Sequence, residues 1–118
     1  MPRVHNNFAA SRFDIYSAGN VAASAHYRMN GAEISFIYTE VNRILQTPPL
    51  VQTLIRGCLN YAHYRRLAVL PFCPTMWEYI RHNSQYTALV PLTQRKRFLL
   101  PTTPRPTGQT RLTVVPPQ

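Results

Sequence analysis

The chain has 118 residues, enough for one small domain, and its 13 Lys and Arg against 4 Asp and Glu give a formal net charge of +9. This charge favours a polyanionic partner, such as nucleic acid or an anionic surface, and two cysteines are too few for a disulfide-built scaffold. No apolar run approaches the roughly 18 residues of a membrane-spanning helix, so we expect no transmembrane segment.

Residues 1–30 are weakly patterned and predict an irregular N-terminal arm. The segment is rich in Ala and Ser, and its charged residues are Arg3, Arg12, Arg28 and the single acid Asp14. This composition is typical of a mitochondrial transit segment, and the alternative is an ordinary surface arm. We therefore expect a location in the mitochondrial matrix.

Residues 31–84 are predicted to form a helical core. The stretch GAEISFIYTEVNRILQT predicts a first helix, because its apolar residues recur at helical spacing: Ile34, Ile37, Tyr38, Val41, Ile44 and Leu45. The Thr-Pro-Pro sequence that follows ends this helix and begins a second one, with Thr47 as its N-cap. The second helix is predicted from about Pro49 to about Val69. Because the link is short, the two helices should form an antiparallel hairpin.

A short third helix is predicted from Thr75 to about Asn83, because Thr75 and Glu78 have the spacing of a capping box. The prolines from Pro91 onward exclude a long helix, so residues 85–118 are predicted to form an extended, basic C-terminal arm. The predicted fold class is therefore mainly α: an antiparallel helical hairpin plus a short third helix, with extended irregular N- and C-terminal arms.

Arg65 falls in the middle of the apolar face of the predicted second helix, where an unpaired guanidinium would be costly. In the hairpin it comes level with Glu33, near the start of the first helix, so we expect a structural Glu33–Arg65 ion pair. The alternative is that Arg65 reaches past the hairpin to a carboxylate or phosphate of a partner.

Basic and aromatic side chains on the polar side of the second helix, and basic residues of the C-terminal arm, are candidate contacts to RNA or to a partner protein. Arginine pairs with phosphate and tyrosine stacks on bases, although a solvated helix face has the same composition. The candidate residues are Arg56, His63, Tyr64, Arg66, Arg95, Lys96, Arg97, Arg105 and Arg111.

No catalytic or metal-binding motif is recognisable in the sequence. The four acids form no acid–base pair, and there is no glycine-rich loop, nucleophile elbow or HExxH. The candidate zinc ligands are spaced too far apart to form the close pairs that structural zinc sites use: Cys58, His63, Cys73 and His82. A Cys58–Cys73 disulfide is an alternative to two buried thiols. We therefore expect no enzyme, no cofactor, no metal and no small-molecule substrate.

The function predicted from these features is structural. We expect a non-catalytic accessory subunit of a large assembly, namely a mitochondrial ribosomal protein that contacts rRNA and neighbouring protein subunits. One alternative is an accessory subunit of a respiratory complex or ATP synthase, in which the arginines meet acidic subunits or anionic lipid. A second alternative is a small free-standing RNA- or DNA-binding protein.

Overall fold

The chain forms one β-sheet and three helices in a computed structural model that describes residues 3–45 and 47–102. The strands are β1 (Val4–Asn7), β2 (Arg12–Ser17), β3 (Asn20–Asn30), β4 (Glu33–Val41) and β5 (Ala68–Pro71). The helices are α1 (Pro48–Tyr64), α2 (Pro74–His82) and α3 (Leu92–Arg95), with 3₁₀ turns at Phe8–Ala10 and Ser84–Leu89. No helix among the described residues is long and apolar enough to span a membrane.

The strands follow one another across the sheet in chain order. The first three pairings are antiparallel, whereas β4 and β5 are parallel, with residues 33–36 beside residues 68–71. Because parallel neighbours need a crossover, α1 returns the chain from the end of β4 to the start of β5. The architecture is therefore an antiparallel meander extended by one β–α–β unit.

One face of the sheet packs on α1 through an aromatic cluster. The centroid of the Phe13 ring lies 5.2 Å from that of Tyr27 and 5.1 Å from that of Tyr61 on α1. Buried aliphatic side chains of both layers surround the cluster, among them Ile15, Ile34, Leu54, Leu59 and Val69. The α2 helix adds two fully buried residues, Met76 and Ile80, so a single core joins the sheet to both longer helices.

The predicted mainly α fold is wrong, because the protein is a mixed α/β fold built on a five-stranded sheet. The segment predicted as the first helix forms β4, so no helical hairpin exists, and the predicted irregular N-terminal arm supplies β1, β2 and β3. The other two predicted helices are present as α1 and α2. The α1 helix begins after Thr47 as predicted, but it ends at Tyr64 rather than near Val69.

The segment after α2 folds back onto the core instead of extending as an arm. A 3₁₀ turn and α3 occupy residues 84–95, and the side chains of Val90, Phe98 and Leu100 are buried. The part of the predicted C-terminal arm beyond Thr102 lies outside the described residues. The division of the chain into three regions at 30/31 and 84/85 stays a prediction.

Gly57 allows β1 to rest directly on α1. A Cβ at Gly57 would lie 2.8 Å from Cγ2 and 3.0 Å from Cβ of Val4, closer than such carbons approach one another. We expect Gly57→Ala to lower the free energy of unfolding by about 1–2 kcal/mol, because moving β1 outweighs the helix propensity gained with alanine. Urea denaturation measures the loss.

A double variant provides the control for this prediction. Because Val4→Ala removes the methyl group at 2.8 Å and leaves only the Cβ at 3.0 Å, adding Gly57→Ala to it should cost less stability than Gly57→Ala costs in the wild type. A Gly57→Ala protein as stable as the wild type would contradict the close approach of β1 to α1.

Candidate functional site

β4 and β5 run side by side only briefly and then separate. Their last pair is Phe36–Pro71, after which the Cys73 amide donates a 2.7 Å hydrogen bond to the Phe36 carbonyl. β4 continues to Val41, whereas the chain after β5 turns into α2. Residues 37–41 therefore have β3 on one side and no strand of the described chain on the other. Ligands of α/β sheets bind in such crevices, beyond the carboxyl ends of parallel strands.

The backbone groups of Thr39 and Val41 face this crevice. The Asn42 amide donates a 2.8 Å hydrogen bond to the Ala22 carbonyl, on the β3 side. Successive residues of a strand direct their N–H and C=O groups to opposite sides, so Asn42 and Glu40 face β3. Thr39 and Val41 consequently face the open side. An extended ligand with amide groups would pair with this edge as an added strand.

A β-bulge separates the paired half of β4 from its open half. Tyr27 of β3 lies opposite Phe36, and the next residue pair is His26 with Tyr38. Ile37 is therefore an extra residue on β4. Because a bulge bends its strand and increases the local twist, β4 turns away at the point where β5 ends.

Two buried thiols lie on the helix-covered side of the crevice. The Cys73 Sγ is 3.0 Å from Thr39 Oγ1, a hydrogen bond that joins the start of α2 to β4. Burial, with a smaller effect of Cys73, raises the pKa of the Cys58 thiol well above its usual value. Both cysteines are free, so the disulfide alternative is not found. The neutral Cys58 thiol acts as a small apolar core side chain.

The other face of β3 and β4 carries a histidine–carboxylate pair whose carboxylate is exposed. His26 Nε2 lies 3.0 Å from Glu40 Oε1, and the imidazole stacks on the Tyr38 ring with 4.3 Å between centroids. The Glu40 side chain is 67% exposed and that of His26 only 19%, so the imidazole is held while the carboxylate reaches solvent. Glu40 lies between Thr39 and Val41, beside the open edge. Such a pair can accept a proton from an approaching nucleophile.

A buried carboxylate anchors this polar face. Asp14 is fully buried, and its Oδ1 accepts hydrogen bonds from Arg12 Nε at 2.9 Å and from Ser24 Oγ at 2.6 Å. Ser24 and Arg12 are also the strand neighbours of Glu40 and His26. The network therefore fixes β2 against β3 next to the His26–Glu40 pair.

The loop from β4 to α1 lies at the same end of the sheet as the crevice. Within this loop the amides of Ile44 and Leu45 donate hydrogen bonds of 3.0 and 3.2 Å to the side-chain oxygen of Asn42. The Leu45 amide also lies 3.1 Å from the Asn42 carbonyl. The side chain of Asn42 thus closes the loop onto itself.

The first turn of α1 has few backbone donors to offer. Pro48 and Pro49 have no N–H. The amides of Leu50 and Val51 donate to the Thr47 carbonyl at 3.0 and 3.1 Å. A helix normally begins with several unsatisfied N–H groups. Among the described residues of this turn, the two prolines have none and the Leu50 amide is already bonded.

The predicted partner contacts on α1 lie on its exposed side or at its far end. Arg56 Nε is 3.5 Å from the Tyr79 hydroxyl of α2, and this contact raises the pKa of Arg56. His63, Tyr64 and Arg66 are exposed at the end of α1, away from the loop that leads into the helix. None of these four side chains is among those described above around the crevice, and their role in partner binding stays a prediction.

The basic residues predicted for the C-terminal arm are partly engaged within the fold. Arg95 Nε donates a 2.9 Å hydrogen bond to the Val90 carbonyl, and burial lowers the pKa of Arg95. The Arg97 guanidinium lies 5.0 Å from the centroid of the Phe72 ring. Lys96 is exposed. Arg105 and Arg111 lie outside the described residues, and RNA or partner binding by this set stays a prediction.

The predicted Glu33–Arg65 ion pair does not form within the described chain. Glu33 begins β4, and Arg65 is exposed at the C-cap of α1, with its guanidinium 5.5 Å from the centroid of the Tyr61 ring. The prediction assumed two antiparallel helices and a longer second helix, neither of which exists. The described residues also contain no group of three or more His, Cys, Asp or Glu that could hold a metal.

Sequence reasoning missed His26, Tyr38 and Glu40, because their segments were interpreted as an irregular arm and as a helix. One signal was available. In the run SAHYR, polar Ser24, His26 and Arg28 alternate with residues that are apolar or aromatic, which is the period of a half-buried strand.

The whole crevice lies within a segment that matches a known family. No curated protein matches the chain significantly. Residues 12–89 match the profile of the GCN5-related N-acetyl-transferase family, and this segment contains β2 to β5, α1, α2 and the second 3₁₀ turn. Because the match spans more than half of the chain, the protein belongs to the GCN5-related N-acetyl-transferase family.

Proposed function

We propose that the protein transfers an acetyl group from acetyl-CoA to a primary amine in the crevice beside the open half of β4. Family membership supports the reaction class. The observation that supports the location is the free strand edge at Thr39 and Val41, which lies next to the His26–Glu40 pair.

The open edge of β4 fits the pantetheine arm of acetyl-CoA, whereas the start of α1 does not fit its diphosphate. Acetyl-CoA supplies an acetyl group activated as a thioester at the end of a pantetheine arm, which contains two amide groups. Thr39 and Val41 direct backbone donors and acceptors to the side on which such an arm would lie. The start of α1 suits a diphosphate poorly, because Pro48 and Pro49 have no N–H and the Leu50 amide is already bonded.

The His26–Glu40 pair is suited to accept the proton that the amine loses. In the transfer, the bond from the acetyl carbon to sulfur breaks as the bond to the amine nitrogen forms, and the thiolate released takes a proton from water. Stacking on Tyr38 and the hydrogen-bonded strands beneath hold the imidazole in place. The imidazole in turn orients the Glu40 carboxylate, which reaches solvent and is the group placed to take the proton. A positioned base of this kind contributes roughly 10²- to 10⁴-fold to the rate.

Family membership corrects several expectations drawn from composition. The predictions of a structural ribosomal subunit that contacts rRNA and of a protein that is not an enzyme are wrong. The expectation of no small-molecule substrate is also wrong, because this family implies substrates such as acetyl-CoA. The excess positive charge had suggested nucleic acid, yet it equally favours a small polyanionic substrate. The mitochondrial location stays a prediction.

Val41→Pro tests the location of the donor. Because the Val41 amide faces the crevice and not β3, proline should be tolerated at this edge while removing one hydrogen-bond donor. The loss of one hydrogen bond, roughly 1–1.5 kcal/mol, should weaken acetyl-CoA binding about tenfold. Calorimetry measures the dissociation constant, and amine-dependent release of thiol from acetyl-CoA measures transfer.

The matched control is Val41→Ala, which keeps the N–H and should bind acetyl-CoA like the wild type. Equal binding by the Val41→Pro and Val41→Ala proteins would place the donor elsewhere. Absence of any acetyl-CoA binding by the wild-type protein would refute the proposed function itself.

A further inference from the structure

The β4–α1 loop and the first turn of α1 have little capacity to bind a diphosphate. Phosphate groups bind at helix starts through free backbone N–H groups and the helix dipole. Six residues between positions 42 and 51 offer no free amide. Two of them are the prolines Pro48 and Pro49. The other four already donate hydrogen bonds, Ile44 and Leu45 to Asn42 and Leu50 and Val51 to Thr47. The helix dipole remains, but these six residues supply no directed hydrogen bond to a phosphate.

The charged side chain of the loop, Arg43, does not replace these amides. Arg43, next to Asn42, is exposed, and exposed ion pairs contribute little because solvent and salt screen them. The net charge of +9 attracts any anion to the protein and does not by itself select a diphosphate. The crevice at Thr39 and Val41, in contrast, presents backbone N–H and C=O groups that have no strand partner among the described residues.

We propose that the protein recognises its acyl donor through the pantetheine arm and gains little from the diphosphate, so that thioesters of pantetheine are bound nearly as well as those of CoA. This inference rests on the proposed function and specifies its donor class. The side-chain bonds of Asn42 and the two prolines that begin α1 are the features that set this preference.

Calorimetric titration with pantetheine and with dephospho-CoA tests the proposal without any enzymatic turnover. The two ligands share the pantetheine arm and its thiol, and dephospho-CoA adds the diphosphate and the adenosine. The dissociation constants for the wild-type protein should agree within about fivefold. Dephospho-CoA binding tighter by 100-fold or more would overturn the proposal.

A proline-to-alanine variant provides the second arm of the test. Pro48→Ala with Pro49→Ala returns two N–H groups to the start of α1, where alanine is well accepted. Dephospho-CoA should then bind about tenfold tighter while pantetheine binding stays unchanged. Pro91→Ala is the matched control, since Pro91 lines a cavity with Ala62 and Tyr64 at the other end of α1 and should alter neither constant.

The outcomes separate this inference from the proposed function. If dephospho-CoA binds and pantetheine does not, the inference falls, whereas the proposed acetyl transfer, which requires only that acetyl-CoA binds, stands. If the double variant binds dephospho-CoA no better than the wild type, the start of α1 is not where the diphosphate lies and the inference is overturned. If neither ligand binds the wild-type protein, the proposed function and the inference both fail.

Discussion

Glu40→Gln should lower the turnover number of acetyl transfer about 100-fold while leaving the dissociation constant of acetyl-CoA unchanged. The substitution keeps the shape of the side chain but removes the carboxylate that lies 3.0 Å from His26 Nε2, and with it the group best placed to take the proton of the amine. Because the Glu40 side chain is largely exposed, stability should change by no more than about 0.5 kcal/mol.

Steady-state kinetics with a saturating amine, together with calorimetry for the donor, separates a loss of rate from a loss of binding. Glu33→Gln is the matched control, since Glu33 lies on the same strand in its paired half and should leave turnover unaffected. Equal turnover numbers for Glu40→Gln and the wild type would assign the proton transfer to another group.

Phe36→Ala should have the largest effect on stability. Phe36 is fully buried beside Phe13 and Tyr27 and is the last residue of β4 paired with β5. Truncating a buried phenylalanine leaves a cavity and costs about 3–5 kcal/mol, which for a domain of this size lowers the melting temperature by roughly 20 °C. Differential scanning calorimetry and urea denaturation measure the change.

The same substitution at an exposed site is the control. The Phe8 side chain is 68% exposed, so Phe8→Ala should alter stability by no more than about 0.5 kcal/mol. Similar losses for the two variants would mean that Phe36 does not carry the packing described for the core.

The positions of α1 and α2 could be predicted because their signals are local. The Thr-Pro sequence at residues 47–48 begins α1, and Leu54, Ile55, Cys58, Leu59 and Ala62 then recur on one face. The end of α1 was less predictable. Arg66 adopts a φ of 58°, in the left-handed region, and the Leu67 amide donates to the Ala62 carbonyl. These features form a Schellman C-cap, and the usual glycine is missing from the position that would have signalled it in the sequence.

β4 was misinterpreted for a physical reason that lies in the strand itself. The side chains of a regular strand alternate between its two faces, so Ile34 and Phe36 share one face. The bulge at Ile37 inserts an extra residue into this alternation. Apolar residues on either side of the bulge therefore acquire spacings of three and four, which are those of a helix. The abundance of β-branched and aromatic residues in ISFIYTEV indicates a strand instead.

The candidate site could not be predicted without the sheet register. His26 and Glu40 are 14 residues apart and belong to different strands, and they meet because Ser24 pairs with Glu40 and His26 pairs with Tyr38. Neither residue lies in a motif of its own. The free edge at Thr39 and Val41 is a property of backbone direction, which depends on the bulge and on where β5 ends.

The order of strands also has a consequence for how the molecule assembles. β1 to β4 pair with their immediate chain neighbours through short turns, one of them at Gly31 with a φ of 62°. β5 can pair with β4 only after α1 has formed the crossover between them, and such non-local pairings form late. We expect amides of β5 to exchange with solvent deuterium sooner than those of β3; the reverse order would contradict this. The walls of the crevice would then come together only in the last folding step.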